Sequence, residues 1–214
     1  TLSRADGTLT VAKAALTVKA DDQSKVYGDA TPALSYSVNA AQLKYTDAAD
    51  VVSGVTLATA QGAAATAGTH AITASGGMAD NYTLSRADGT LTVAKAALTV
   101  TADDQSKVFG TPTPALTYTV NADQLKYGDA SSVVSGIALA TVEGVDATAG
   151  THPITLSGGT AANYSLVMHE GTFTISPESL KSESLMTQVP TTPAIAPPVP
   201  ATPPEAEVTP AQTG

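Results

Sequence analysis

The chain is predicted to be all-β: tandem small β modules, mostly antiparallel and sandwich- or grasp-like, each with one short helical turn, arranged as a rod. Three observations lead there. The first is a period of 82 residues. Thr1–Val18 reads TLSRADGTLTVAKAALTV, Thr83–Val100 reads the same letters, and aligning Lys13–Ala94 with Lys95–Ser176 gives 54 identities in 82 positions without a gap. A fixed long period marks an array of similar folded units, each too small to be very stable alone. The second is composition: no Trp, two Phe, abundant Thr, Val, Gly and Asp, and few helix-forming runs. The third is apolar alternation of period two between Gly-marked connections.

The period divides the chain into residues 1–12, the terminal strand or strands of a preceding repeat; module 1 over 13–94; module 2 over 95–176; and a Pro-rich tail over 177–214. Because it opens in mid-repeat, the chain is expected to be a fragment.

Along module 1, Leu16, Val18 and Ala20 alternate with Thr17 and Lys19, a half-buried strand. Val26-Tyr27-Gly28-Asp29 with Pro32 reads as a turn. Leu34, Tyr36 and Val38 alternate as a second strand. At Asp47 to Gly54 an Asp cap, small residues and a closing Gly predict one helical turn. Val55 and Leu57 begin another strand, Gly62 to Gly68 is a small-residue loop, and His70, Ile72 and Ala74 alternate again. Gly76-Gly77 is expected to turn the chain. Tyr82 and Leu84 are expected to pair through an Asp88-Gly89 turn with Leu91 and Val93, a hairpin.

The junction changes parity: Leu91 and Val93 are odd-numbered, Leu98, Val100 and Ala102 even-numbered. Side chains five residues apart on one strand point to opposite faces. Thr90–Ala102 is therefore expected to twist or bulge near Lys95-Ala96-Ala97, handing its apolar face from one core to the next. Thirteen extended residues reach roughly 43 Å and contain no Gly or Pro, so the connection should be stiff. The tail has nine Pro in 38 residues and no aromatic residue, which predicts an extended or disordered segment. Ser176-Pro177-Glu178 could cap a short helix over 179–189.

A formal net charge of −9, spread over both modules, opposes binding to phosphate backbones, so no nucleic-acid partner is expected. No apolar run approaches the roughly 20 residues that span a bilayer. The absence of cysteine excludes disulfides and zinc–thiolate sites.

Few residues offer chemistry. His70 and His152 occupy equivalent places; an acid–base or metal role is weighed against a partly buried His at a strand start, and the second is favoured. Asp21-Asp22 and Asp103-Asp104, with Asp29, Asp47 and Asp50, could supply oxygen ligands to calcium. Asp29 becomes Thr111 and Asp50 becomes Ser132, however, so turn and cap duty is favoured. Lys25, Lys44 and Asn81 recur as Lys107, Lys126 and Asn163, which raises a Lys–Asn crosslink if a Lys, an Asn and a buried acid touch. Tyr36, Tyr45 and Tyr82 recur as Tyr118, Tyr127 and Tyr164 and read as core. Tyr27, replaced by Phe109, is the best single aromatic for a surface contact. No nucleophile elbow, phosphate loop or dinucleotide fingerprint is present. No enzyme is expected, and no catalytic, cofactor-binding or metal residue is assigned.

Lys25-Val26-Tyr27-Gly28-Asp29 with Pro32, Asn81-Tyr82, and Asp88-Gly89-Thr90-Leu91-Thr92-Val93 together resemble the MBG-type repeats of large bacterial surface adhesins. Such modules stand in tandem in two-partner-secreted exoproteins similar to filamentous haemagglutinin. The resemblance covers Lys13–Ser176 and implies an extracellular, surface-associated protein with a role in adhesion or biofilm and no cofactor. Its implied partners are neighbouring repeats, an outer-membrane secretion partner, and polysaccharide or host-surface glycan. Phe109-Gly110-Thr111 departs from the Tyr-Gly-Asp form. The expected function is a structural stalk that projects a distal binding region. The alternatives are a multivalent carbohydrate-binding module and a glycan hydrolase, for which no carboxylate pair speaks.

Overall fold

The computed structural model describes residues 2–59, 62–142 and 147–178. Thr1 to Glu178 form one compact unit. The expected Pro-rich segment and its short helix lie outside the described residues, apart from the first positions.

Among the described residues each repeat has seven strands. In the first these are β1 (Ala14–Ala20), β2 (Gln23–Val26), β3 (Tyr36–Val38), β4 (Ser53–Thr59), β5 (Gly68–Met78), β6 (Tyr82–Ala87) and β7 (Gly89–Ala94). In the second they are β8 (Ala96–Ala102), β9 (Gln105–Val108), β10 (Tyr118–Val120), β11 (Ser135–Ala140), β12 (Gly150–Thr160), β13 (Tyr164–His169) and β14 (Gly171–Ser176). The strands form a three-stranded and a four-stranded sheet per repeat, ordered β3-β1-β6 and β2-β7-β5-β4 in the first, and β10-β8-β13 and β11-β12-β14-β9 in the second. Among the described residues helical structure is limited to short 3-10 turns, and the fold is all-β.

The period-two pattern explains the burial. In β1, Leu16, Val18 and Ala20 are fully buried, and in β7, Leu91 and Val93 are, while the residues between them face outward. Long-range pairing is mixed. β1 runs parallel to β6 with Leu16 opposite Leu84, and β2 runs parallel to β7 with Lys25 opposite Val93. β3, β4 and β5 add antiparallel pairings.

Three local expectations are corrected. β6 and β7 do not form a hairpin: β6 joins β1 and β7 joins β5 and β2, so Asp88 carries the chain from one sheet to the other. Gly89 is needed there for close approach, because a Cβ on it would lie 2.5 Å from Ala20 O. Gly76 and Gly77 do not turn the chain but lie within β5, paired with β4. The helical turn is a 3-10 turn over Ala49–Val51 whose cap, Ala48, makes no side-chain bond; Asp47 points elsewhere. A second 3-10 turn, Ala40–Gln42, is capped by Asn39, whose side chain accepts from Ala41 N.

The cores do not follow the sequence period. One cluster gathers Leu16, Val18, Val52, Ala79 and Tyr82, and another gathers Ala102, Ile154, Phe173 and Ile175. The central cluster takes Tyr27, Ile72, Leu91 and Val93 from the first repeat together with Leu98, Val100, Val134 and Tyr164 from the second. The parity change occurs at Ala94-Lys95, two consecutive exposed residues, of which Ala94 ends β7 and Lys95 alone separates it from β8. The face is therefore handed over at Lys95, within the expected stretch, and Lys95 Nζ donates to Ala161 O at 3.0 Å.

Residues 2–13 form no strand, and Leu2, Leu9 and Val11 are exposed. Leu91 and Val93, the copies of Leu9 and Val11, are buried because β5 and β2 flank them. An extended segment without neighbouring strands gains no ladder bonds and buries no face.

Replacing Gly171 with Ala, whose Cβ would lie 2.5 Å from Ala102 O, is expected to cost about 1–3 kcal/mol. Urea unfolding followed by circular dichroism measures this. Full retention of stability would show that the sheet crossover does not need a glycine.

Candidate functional site

Four of the residues singled out by sequence, Tyr27, Tyr127, Asn163 and Tyr164, meet at the junction between repeats. Tyr27 follows β2 in a turn fixed from two sides. Its backbone N donates to Ala94 O at 2.8 Å, and Asp29 N closes the turn onto Val26 O at 3.0 Å. Beneath it lies Lys25, 8% exposed, whose Nζ donates to Asp29 O, Thr31 Oγ1 and Gly62 O at 3.2–3.4 Å. A buried ammonium needs its N–H groups satisfied, and these oxygens draw the turn onto the sheet. Lys107 is likewise buried and donates to Thr113 Oγ1.

The Tyr27 side chain crosses into the second repeat and is only 5% exposed. Its ring meets Tyr127 and Tyr164 edge-on, with centroids 5.5 Å away in both cases. Such T-shaped pairs each add about 0.5–1.5 kcal/mol beyond area burial. The Tyr27 hydroxyl donates to Asp129 Oδ2 at 3.1 Å, and the Tyr164 hydroxyl donates to the same oxygen at 2.6 Å. Tyr164 OH in turn accepts from Lys126 N at 2.8 Å. Contacts run in the other direction as well. Tyr127 OH donates to Asp29 O at 3.3 Å, and Ala67 N donates to Asn163 Oδ1 at 3.0 Å. Gly28, at φ +97°, lies against the Lys126 stem, where a Cβ would overlap Cγ of that lysine.

Burial, then the bond to Asp129, raises the pKa of Tyr27. The same causes in the same order push Tyr164 up to about 12. Tyr82 is also raised, first by its bond to Asp47 and then by burial. Asp103 is lowered by hydrogen bonds from Thr117 and Thr119.

The other candidates have structural partners. His70 Nε2 lies 2.8 Å from Thr66 O and His152 Nε2 lies 2.9 Å from Thr148 O. A carbonyl only accepts, so that nitrogen carries the proton in both rings. Asp21 accepts from Ser35 Oγ, Asp22 from Thr90 N and Asp104 from Thr172 N, bonds that tie the strand ends to distant segments and not the local turn and cap duty expected. Asp47 accepts from Tyr82 OH. Among the described residues no cluster of His, Asp and Glu suits a metal ion.

Tyr27 is thus a contact residue, and what it contacts is the next repeat. Tyr82 and Tyr164 are core, but Tyr45 is fully exposed and Tyr127 half-exposed, against the expectation for both. Both have positive φ, 56° and 53°. The signal that would have found the socket is Tyr127-Gly128-Asp129, a second Tyr-Gly-Asp triplet, which docks against the first.

Fold and junction together define a tandem β-repeat protein whose units are joined by an aromatic plug in a preformed socket. The chain belongs to the MBG domain (YGX type) family, which matches residues 16–92 and 98–174. Tyr27-Gly28-Asp29 has the Tyr-Gly-X form in that description, and its counterpart one period later is Phe109-Gly110-Thr111. No curated protein sequence matches the chain.

Tyr27→Ala is expected to cost about 3–5 kcal/mol, as truncation of a large buried aromatic does. Tyr27→Phe, which removes one donor to Asp129, is expected to cost about 1 kcal/mol. Equilibrium unfolding in urea separates the two, and equal losses would assign no value to the hydroxyl.

The raised tyrosine pKa values predict a loss of stability in alkali. A phenol whose folded pKa lies above the unfolded value of about 10 contributes its full stabilisation below that pH. The contribution is lost as pH rises through the folded value, about 12 for Tyr164. Melting temperature should therefore be flat to about pH 10 and fall above it, and Asp129→Ala should flatten that fall. Melts recorded across the alkaline range test both statements.

Proposed function

We propose that these repeats are a structural stalk in a secreted bacterial surface adhesin, projecting a distal binding region in adhesion or biofilm formation. MBG repeats are typical of extracellular surface proteins, and a tandem pair fits a bacterial surface protein. Among the described residues no helix is long and apolar enough to cross a membrane.

The observation that carries the reading is the junction. A spacer keeps a distal element at a distance only if its units do not swivel about their connections. Here β7 passes into β8 through one residue, Lys95, and one core cluster contains residues of both repeats. Tyr27, Tyr127 and Asn163 add side-chain contacts in both directions across the same boundary. A flexible linker would need Gly- or Ser-rich sequence, and Ala94-Lys95-Ala96 is neither. The secretion route in this reading is two-partner export through an outer-membrane protein, and the stalk itself carries no catalysis.

The chain has no cysteine, so two introduced thiols can be labelled without interference. Spin labels at Ser75→Cys and Ser157→Cys, both exposed strand positions, should give one narrow inter-repeat distance distribution. Tyr27→Ala should broaden it. A broad distribution in the parent chain would overturn the stalk. Saturable, glycan-specific binding of the chain on an array of glycans and bacterial exopolysaccharides would move the adhesive role onto the repeats themselves.

A further inference from the structure

The socket that receives Tyr27 exists twice. At the outer end of the first repeat a cavity of about 520 Å³ is lined by residues that include Lys13, Ala14, Tyr45, Asp47, Asn81 and Tyr82. One period later these are Lys95, Ala96, Tyr127, Asp129, Asn163 and Tyr164, of which Tyr127, Asp129, Asn163 and Tyr164 meet the Tyr27 side chain. Both sockets have the same internal bonds. Tyr82 OH donates to Asp47 Oδ2 at 2.7 Å and accepts from Lys44 N at 2.8 Å, as Tyr164 does with Asp129 and Lys126. Tyr45 and Tyr127 share the same left-handed backbone. The difference is occupancy: Tyr45 is 103% exposed where Tyr127, with Tyr27 against it, is 51% exposed.

We infer that the Tyr45–Asp47–Tyr82 pocket is a docking site for the Tyr-Gly turn of a further MBG repeat, the one whose closing strand is residues 8–12. The chemistry of the occupant follows from the filled copy. It brings a phenol hydroxyl to share the Asp47 carboxylate, an aromatic edge for Tyr45 and Tyr82, and a glycine that clears the Lys44 stem. Its backbone route is also marked. Tyr27 N donates to Ala94 O, and the counterpart of Ala94 is Ala12, which lines the pocket. Leu9 and Val11, exposed at 88% and 82%, stand where Leu91 and Val93 are buried by neighbouring strands. A repeat that packs its own strands on residues 8–12 would cover these side chains and bring its turn to the pocket at once. A second copy of this chain fits less well: it offers Phe109, which has no hydroxyl for Asp47, and its β9 is already paired with β14.

The test uses the sequence itself. Placing a copy of residues 13–82 before Thr1 regenerates a complete repeat, because Thr1–Ala12 is identical to Thr83–Ala94. In this extended chain, amide exchange over residues 8–12 should slow, reporting a closed strand. Nitration of Tyr45 by tetranitromethane, read by mass spectrometry, should fall about twofold, the ratio of 103% to 51% exposure. Changing the tyrosine of the added Tyr-Gly turn to Ala should restore Tyr45 reactivity and leave residues 8–12 protected. Unchanged nitration of Tyr45 beside a protected strand would overturn the inference, and so would an unprotected strand. Self-association of the unextended chain, abolished by Phe109→Ser, would put a second copy in the pocket and also overturn it. The inference rests on reading the existing junction as a fixed coupling. The labels at positions 75 and 157 report on that junction alone, so the two failures are separable.

Discussion

A phenol that is taken out of water must find an acceptor, and at this junction two phenols from different repeats find the same one. Asp129 accepts from Tyr27 on one side and Tyr164 on the other. Hydrogen bonds to a charged acceptor contribute about 1.5–3 kcal/mol each, and leaving a buried hydroxyl unpaired costs about as much. The carboxylate therefore makes burial of Tyr27 favourable only when the second repeat is in place. That dependence extends backward through the chain. Tyr27 is held by Ala94 O at the end of β7 and by the turn over Lys25, and Lys25 reaches as far as Gly62 O. Strand end, turn, loop and neighbouring socket are thus linked through one side chain.

The same arrangement explains why the sequence period and the cores are out of step. Each repeat has two sheets, and its strands change buried parity between them, as at Asp21-Asp22 and again at Ala94-Lys95. The four-stranded sheet of the first repeat and the three-stranded sheet of the second line one cluster. A cut at Ala94-Lys95 would divide that cluster, although it falls between two copies of the sequence.

Alternation made most strands legible, because Leu16, Val18, Ala20, Leu91 and Val93 are buried on the period that the sequence displays. The connectivity was not legible. Asp88-Gly89 has the composition of a hairpin turn, yet its glycine serves a close backbone crossing with Ala20, and proximity in sequence says nothing of which distant strand comes alongside. Asp47 has the composition of a helix cap but bonds Tyr82, thirty-five positions away. Of the site, Tyr27 was legible as an aromatic outside any apolar alternation. Tyr45 and Tyr127 were misread because a residue type that is usually buried carries no mark of its positive φ or its exposure. The pairing of Tyr27-Gly28-Asp29 with Tyr127-Gly128-Asp129 needed the fold, since the two triplets are separated by 100 positions rather than by the period.

The parallel pairing of β1 with β6 sets the direction in which tension along the chain would meet a repeat. β1 follows the point where the chain enters the repeat and β6 leads through β7 to the point where it leaves, and six pairs from Ala14–Tyr82 to Lys19–Ala87 join them. In a parallel pair, the entering end of one strand and the leaving end of the other lie at opposite ends of the ladder. Tension along the chain slides such strands past each other, so the ladder bonds are strained together instead of parting one after another. β8 and β13 repeat the geometry in the second unit. Force applied to the chain therefore meets each repeat in shear.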